Sequence, residues 1–141
     1  RSIRLAGTDF DAVGNLALLR RPLMAVHCRR HWTETEQQNF TNKCLAAAES
    51  GTVLIGAFIS TNEKNIHKAL REKQLPLIHI VENGFNDLYK PVGQAFYATA
   101  EGNLLQLAPW PYRSESHTIS REQCKALNEM AEGIAGYASR A

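Results

Sequence analysis

The sequence lacks the features that mark membrane proteins and disulfide-stabilised secreted proteins. It has only three cysteines, at positions 28, 44 and 124, and no Cys-x-x-Cys pair. An odd number of thiols without that spacing is typical of reduced cysteines in a cytoplasmic protein. No apolar run approaches the roughly 18 residues that a membrane helix needs, and no secretory signal is recognisable. We therefore expect a cytoplasmic protein that does not associate with a membrane.

The sequence also has little net charge. Its 16 lysines and arginines against 14 acidic residues leave a formal charge of +2. A net charge this small does not by itself indicate nucleic-acid binding, so any basic site must come from local clustering of cations. The length of 141 residues is that of one domain, and we expect a single domain over residues 1–141. Because the chain begins at Arg1 and not at a methionine, we expect it to be a piece of a longer protein.

The stretch around which the rest is organised has the pattern strand, turn, helix. Residues 23–26 form an almost unbroken apolar run, which is typical of a strand covered on both faces. Thr33 and Glu36 have the spacing of a capping box, so a helix is expected to begin there, and Gly51 is placed to end it. Arg29 and Arg30 lie between the strand and the helix, which is where open α/β sheets bind ligands.

The remaining chain repeats this alternation. Apolar runs predict further strands over residues 53–58, 77–81 and 104–107, and a short extended piece over residues 3–5. Capping-box spacings at Ser60 with Glu63 and at Ser120 with Gln123 predict two more helices. Residues 94–101 fit a short helix, and residues 16–19 fit one helical turn. Alternating strands and helices predict an α/β fold with a mainly parallel sheet and right-handed crossovers.

Arg29 and Arg30 are the first candidates for ligand binding. Arginine side chains bind phosphate through bidentate hydrogen bonds, and helix N-termini favour anions. The alternative is a basic turn that is merely solvated. The adjoining run from His27 to His31 contains two histidines and Cys28, but no second cluster supplies the remaining ligands of a zinc site. A buried structural role for Cys28 is favoured over a nucleophilic one, and we expect neither a metal nor a cofactor.

Two further turns at the same sheet edge carry candidate residues. At the second strand-to-helix turn, a phosphate or sugar could contact a glycine and two hydroxyl residues, with plain helix capping as the alternative. Beyond the third strand, a base or sugar could be hydrogen-bonded, with a turn held by Asn side chains as the alternative. Trp110, Tyr112 and Arg113 offer stacking faces beside a cation, although a loop anchored by Trp110 is favoured. The candidates at the two turns are Gly56, Ser60 and Thr61, and then Gly84, Asn86 and Tyr89.

Four segments in order resemble the DNA-processing protein A (DprA/Smf) family. They are residues 14–22, similar to the family's G-N-L-x-L-L-x-x-P; 26–29, at its V-G-S-R turn; 55–62, at its S-G-x-A-x-G-[IV]-D; and 84–89, similar to its G-[LF]-[DN]-x-x-Y-P. The resemblance covers about residues 5–110. His27 and Cys28 replace a glycine and a serine of the family, and its F-P-x-R-N-R arginine pair has no counterpart near residue 119.

This resemblance implies a Rossmann-like three-layer sandwich and a non-enzymatic DNA-processing domain. Family members bind single-stranded DNA, load a recombinase onto it and dimerise. By resemblance we therefore expect binding of single-stranded DNA or a nucleotide, a recombinase partner, a role in DNA uptake, and a homodimer. We expect the dimer to use the apolar stripe of the last helix, residues 121–138, where Gly133 and Gly136 would admit a close neighbour.

Two alternatives stay open. The wider superfamily includes hydrolases that act on an N-glycosidic bond, but their P-G-G-x-G-T-x-x-E motif does not occur in this sequence. The chain could also be an interaction domain whose ligand site has decayed, which the replaced glycines favour.

Overall fold

The computed structural model describes residues 1–115 and 118–140, with the side chains of residues 137–140 excepted. Ser116, His117 and the side chain of Ala138, the last position of the predicted apolar stripe, therefore lie outside the described part. The strands are β1 (Ser2–Leu5), β2 (Thr8–Gly14), β3 (Leu23–Ala25), β4 (Val53–Gly56), β5 (Leu77–Ile80) and β6 (Leu104–Ala108). A 3₁₀ helix (Leu16–Arg20) precedes β3, and the α-helices are α1 (Glu34–Glu49), α2 (Thr61–Glu72), α3 (Gln94–Ala100) and α4 (Arg121–Arg140).

The six strands form one sheet in the order β1-β2-β6-β5-β4-β3. Strands β3, β4, β5 and β6 run parallel, whereas β1 and β2 form an antiparallel hairpin whose second strand pairs with β6. The predicted α/β fold with a mainly parallel sheet is therefore confirmed. Strand β2 was not predicted.

The sheet is covered on both faces, as the Rossmann-like sandwich requires. On one face, α4 packs Leu127, Ala131 and Ile134 against a core that includes Ile55 and Leu105. On the other face, α1, α2 and α3 cover a second core. Its buried members from helices are Cys44, Ala48, Ile66, Leu70 and Ala98, and those from strands are Leu54, Leu77 and Leu104. Adjacent strand residues such as Leu54 and Ile55 belong to opposite cores because side chains alternate along a strand.

Strand β3 differs from its prediction. The apolar run suggested a strand covered on both faces, but β3 lies at the edge of the sheet, and Met24 and Ala25 are only half-buried. An edge position leaves one side of β3 without a pairing partner. It also brings the chain that follows β3 to the outside of the C-terminal sheet edge, where Arg29 and Arg30 are exposed.

Two of the three capping boxes form as predicted. At α1, the Thr33 hydroxyl accepts from Glu36 N and the Glu36 carboxylate accepts from Thr33 N; Ser120 and Gln123 make the same pair of bonds at α4. At α2, only the Ser60 half is present, with its hydroxyl accepting from Glu63 N at 3.2 Å. The Glu63 side chain turns into the protein instead.

Within the described residues, no helix combines the length and apolar character needed to cross a membrane.

Candidate nucleic-acid interface

The C-terminal ends of the parallel strands carry the predicted binding residues, and two separate clefts open there. We call the first the basic cleft; it lies between the loop after β3 and the first turns of α4. We call the second the aromatic cavity; it lies beyond β5 and β6. Helix α4 contributes to both, because Lys125 and Asn128 line the basic cleft while Leu127 lines the aromatic cavity.

The basic cleft has a volume of about 550 Å³ and collects four permanent cations. Arg29 and Arg30 come from the loop after β3, and Arg121 and Lys125 come from α4. All four are exposed, and none makes an ion pair with a described residue. Glu122 is the only carboxylate among the described residues that line the cleft. The cleft is therefore a site of locally positive charge in a chain whose net charge is small.

Arg121 and Lys125 were missed as binding residues at the level of the sequence. Their spacing of four places them on one helix face, and this could have been recognised. Which loop that face meets depends on the packing of α4 against the sheet, more than 90 positions away from Arg29 in the chain. The basic cleft therefore takes two of its four cations from α4.

The loop that carries Arg29 is held from inside by Glu63, which is only 2% exposed. One carboxylate oxygen of Glu63 accepts from Cys28 N at 2.9 Å, and the other accepts from Ile59 N at 3.0 Å. Asn62 adds a bond from its amide nitrogen to Cys28 Sγ at 3.2 Å. These contacts join the loops after β3 and β4, so that the backbone next to Arg29 has a fixed position.

Cys28 is buried, as the structural interpretation expected. Burial raises the pKa of its thiol, and the Asn62 hydrogen bond only partly opposes this effect. The thiolate that a nucleophile or a metal ligand requires is therefore disfavoured. His27 points to the opposite side of the chain, where its Nδ1–H donates to Glu132 Oε1 at 2.9 Å and ties the end of β3 to α4. No group of three or more potential metal ligands occurs among the described residues.

The aromatic cavity has a volume of about 400 Å³, and Gly84, Asn86 and Tyr89 line it together with His79, Glu82, Phe85, Gln106 and Tyr112. Its wall is formed where the loop after β5 meets residues 110–113. Asn83 fastens the two segments: its amide nitrogen donates to Arg113 O at 2.9 Å, and its amide oxygen accepts from Arg113 N at 2.8 Å. Gly84 permits the approach, because a Cβ there would lie 2.6 Å from Trp110 O.

The polar side chains of this loop have partners in the protein as well as faces toward the cavity. Asn86 Oδ1 accepts from Leu88 N at 3.0 Å and so holds a turn. Tyr89 packs against Phe85, with ring centroids 4.7 Å apart, and its hydroxyl donates to Gln106 Oε1 at 2.6 Å. The structural alternative for Asn86 and Tyr89 is therefore present, and it leaves both residues on the cavity wall.

The third predicted group lies between the two clefts, since β4 separates β3 from β5. A Cβ at Gly56 would lie 2.9 Å from Val26 O, so this glycine allows the end of β4 to approach the backbone that follows β3. The Ser60 hydroxyl caps α2, and Thr61 is the exposed first residue of that helix. None of the three is among the described residues that line either cleft.

The aromatic loop is anchored as favoured from the sequence. Trp110 is half-buried and packs against the core beneath α4. Tyr112 is 45% exposed and lines the aromatic cavity. Arg113 Nη2 lies 3.9 Å from Glu82 Oε2, so the cation is directed to a carboxylate at the wall of that cavity.

Comparison with known proteins places the fold. No protein-family model matches the chain, and neither does any curated protein. Among solved structures, the chain is similar to DNA processing protein A from Helicobacter pylori, whose structure concerns a single-stranded DNA binding mode. The two structures superpose with a TM-score of 0.61 and 16% sequence identity, and the match covers 89% of this chain and 56% of that one. It is also similar to DNA processing protein A from Streptococcus pneumoniae, with a TM-score of 0.61, 19% identity and coverage of 89% and 43%.

The chain thus spans about half the length of the solved structures that it matches. At these identities the likeness concerns the fold. The resemblance found in the four sequence segments is confirmed at that level: the chain has a DNA-processing-protein-A-like Rossmann fold.

Proposed function

We propose that this chain is a DprA/Smf-like DNA-processing domain that binds single-stranded DNA or a nucleotide phosphate at the C-terminal edge of its sheet. The basic cleft binds phosphates, and the aromatic cavity beside it takes a base or sugar against Gly84, Asn86 and Tyr89. Gly56, Ser60 and Thr61 belong to the turn between β4 and α2, which lies between the basic cleft and the aromatic cavity. A role in DNA uptake, with a recombinase as partner, accompanies this proposal by resemblance.

The observation that carries the proposal is the convergence of Arg29, Arg30, Arg121 and Lys125 from two elements on one cleft. Like charges repel, so bringing four unpaired cations together has a cost that a polyanionic ligand would offset. Exposed side chains at a rigid loop and a helix can each reach a different phosphate of a flexible strand. The fold shared with the Helicobacter pylori protein, whose structure concerns single-stranded DNA, supports the same ligand class.

Binding without catalysis is part of the proposal. A hydrolase acting on an N-glycosidic bond needs a carboxylate that reaches the sugar beside the bound phosphate. Glu63 is the carboxylate at the β4–α2 turn, and both of its oxygens accept backbone hydrogen bonds in the interior. Glu82 is the carboxylate that lines the aromatic cavity, and the proposal gives it a role in binding and not in catalysis. Release of free base from nucleoside monophosphates, lost when one residue is replaced, would favour the hydrolase alternative.

The test compares paired substitutions on short thymidine oligonucleotides over a range of salt concentrations. Arg29→Ala with Arg30→Ala, and separately Arg121→Ala with Lys125→Ala, should weaken binding. Each lost phosphate contact should reduce the slope of log affinity against log salt by about 0.7. Lys43→Ala with Lys64→Ala is the matched control, because it also removes two exposed cations without an ion pair to a described residue, and neither lines the two clefts.

Wild-type protein without measurable affinity for single strands would favour the interaction-domain alternative. Equal losses in the control would show that binding depends on general charge. A homodimer is also proposed, on the resemblance alone. The apolar stripe of α4 packs against the protein's own sheet through Leu127, Ala131 and Ile134, so the proposed contact is the open face of this helix around Gly133 and Gly136.

A further inference from the structure

The aromatic cavity is lined by one carboxylate with an oxygen that has no hydrogen-bond partner among the described residues. Glu82 follows β5 and lines the cavity. Its Oε2 is buried and has no hydrogen-bond partner among the described residues, and the nearest cation, Arg113 Nη2, lies 3.9 Å away. The side chain as a whole is 40% exposed. A carboxylate can accept about four hydrogen bonds, so this group is left to accept from a ligand.

The other walls of the cavity are suited to a flat, uncharged ring. Phe85, Tyr89 and Tyr112 are aromatic, Leu127 and Ile80 are apolar, and no lysine or arginine is among the described lining residues. Gln106 Oε1 accepts from the Tyr89 hydroxyl, which leaves the amide NH₂ of Gln106 as a donor. The volume of about 400 Å³ is within the range of small-molecule sites.

We propose that the aromatic cavity is a nucleobase subsite that prefers guanine, with Glu82 as the residue that determines the preference. This rests on the proposed function for the biological ligand, but the cavity and its chemistry are independent of the basic cleft.

Guanine fits because of how its hydrogen-bond donors are arranged. Its N1–H and N2–H₂ groups are adjacent and parallel, and they match the two oxygens of a carboxylate in a bidentate pair. Its O6 and N7 remain as acceptors, which suit the free amide NH₂ of Gln106. Thymine offers a single N3–H flanked by two carbonyl oxygens, and these would be repelled by a carboxylate. Adenine and cytosine each present one amino group next to an acceptor nitrogen, so they can make only one such bond.

The experiment uses nucleosides, because they contain a base and sugar but no phosphate. Binding of guanosine and thymidine to the full chain is followed by NMR chemical-shift titration, which detects millimolar affinities. We expect guanosine to bind about tenfold more tightly than thymidine, the lower part of the range for a good bidentate pair. Glu82→Gln should bring the two affinities close together, whereas Glu129→Gln on the outer face of α4 should leave the ratio unchanged.

A second variant separates stacking from base selection. Tyr112→Ala should weaken guanosine and thymidine by similar factors, since stacking on an aromatic ring tolerates every base. Thermal melting of each variant confirms that it is folded. Equal affinities in the wild type, no binding of either nucleoside, or a guanosine preference that survives Glu82→Gln would each overturn the inference.

Failure of the guanine subsite can be distinguished from failure of the proposed function. Arg29→Ala with Arg30→Ala should leave guanosine binding unchanged, because a nucleoside has no phosphate for the basic cleft. A thymidine oligonucleotide with one guanine should bind more tightly than an all-thymidine oligonucleotide, and only through Glu82. Single-strand binding without that difference would refute the guanine subsite alone. Guanosine binding without binding of either single strands or nucleotide phosphates would refute the proposed function alone.

Discussion

Glu63 and Cys28 are joined by a 2.9 Å hydrogen bond from a backbone N–H to a buried carboxylate oxygen. The bond connects the first turn of α2 to the loop that follows β3, which are 35 positions apart in the chain. A second bond from Ile59 N to the same carboxylate involves the loop after β4. One side chain thus fixes the loop that carries Arg29 and Arg30 of the basic cleft and the loop that contributes Ile59 to the aromatic cavity.

Replacement of Glu63 should therefore lower stability and binding together. Glu63→Ala leaves two backbone N–H groups without acceptors, which we expect to reduce the free energy of unfolding by about 2–5 kcal/mol in urea titrations. Glu72→Ala, at an exposed position of the same helix, should change stability by less than about 0.5 kcal/mol. If Glu63→Ala folds and binds single strands with wild-type affinity, the loops do not depend on this carboxylate.

His79 should make the protein less stable in mildly acidic solution. Burial lowers its pKa to about 4, with the neighbouring His67 adding to the effect, and its Nε2–H donates to Ala57 O at 3.0 Å. The unfolded chain takes up a proton near pH 6.5, whereas the folded protein does not do so until about pH 4. Stability is therefore fully present above pH 6.5 and falls between these values, by up to about 1.4 kcal/mol per pH unit for this group.

The measurement is urea denaturation between pH 7.5 and 4.5 for the wild type, His79→Gln and Asn65→Gln. His79→Gln should flatten the pH dependence in that window. Asn65 is exposed on α2 and does not titrate, so its replacement should leave the slope unchanged. A wild-type protein of constant stability across the window would contradict the assignment of a buried neutral imidazole. His67, whose pKa burial also lowers, contributes in the same direction.

The sequence predicts those parts of the fold that depend on interactions between residues close together in the chain. Capping boxes at Thr33 and Ser120 are contacts over three residues, and the sequence identifies both correctly. Strand β2 was missed because its hairpin turn, Ala6-Gly7, lacks the usual Asn-Gly or Asp-Gly signal, although both residues adopt positive φ.

The site was less predictable because its contacts join residues that are far apart in the sequence. Ser60 and Glu63 have capping-box spacing, so local chemistry predicted a reciprocal cap. The buried Glu63 carboxylate instead accepts hydrogen bonds from Cys28 N and Ile59 N. The three-residue spacing between Ser60 and Glu63 does not indicate either of these bonds. Likewise, the candidate residues were expected at one edge, and they do lie there. Their division into a basic cleft and an aromatic cavity depends on where α4 packs.

Gly84 should be intolerant of even a single methyl group. A Cβ at this position would meet the backbone of Trp110 and Pro111 at 2.6 Å, and backbone cannot move aside as a flexible side chain can. We expect Gly84→Ala to reduce stability by about 1–3 kcal/mol, as overpacking does, and to weaken guanosine binding by separating the cavity walls. Gly133→Ala is the contrasting control, because this exposed helical glycine has room, and alanine should stabilise α4 by about 0.5–1 kcal/mol. Equal effects of the two substitutions would show that the loops are not in tight contact.

Met130 should act on folding and not on assembly. It lies on the predicted apolar stripe of α4, is half-buried, and packs against the core beneath the β1–β2 hairpin, beside Leu5 and Phe10. Met130→Glu places a carboxylate against that apolar surface, and we expect a loss of about 2–4 kcal/mol in the free energy of unfolding. Circular dichroism during thermal unfolding provides the measurement. A folded variant of unchanged stability that loses self-association would show that Met130 faces a second copy.

The proposed homodimer is tested on the opposite face of the same helix. Gly136 is exposed, and nothing lies within 4 Å of the position that its Cβ would occupy, so Gly136→Glu can be accommodated by the monomer. A twofold contact would use this position twice, and one substitution would then place two carboxylates close together. We expect light scattering to show a dimer for the wild type and a folded monomer for Gly136→Glu, with Asn65→Glu, which introduces the same charge at an exposed position of α2, as the control. A wild-type monomer at high micromolar concentration would rule out the homodimer, and a dimer that persists in Gly136→Glu would place its contact away from this face.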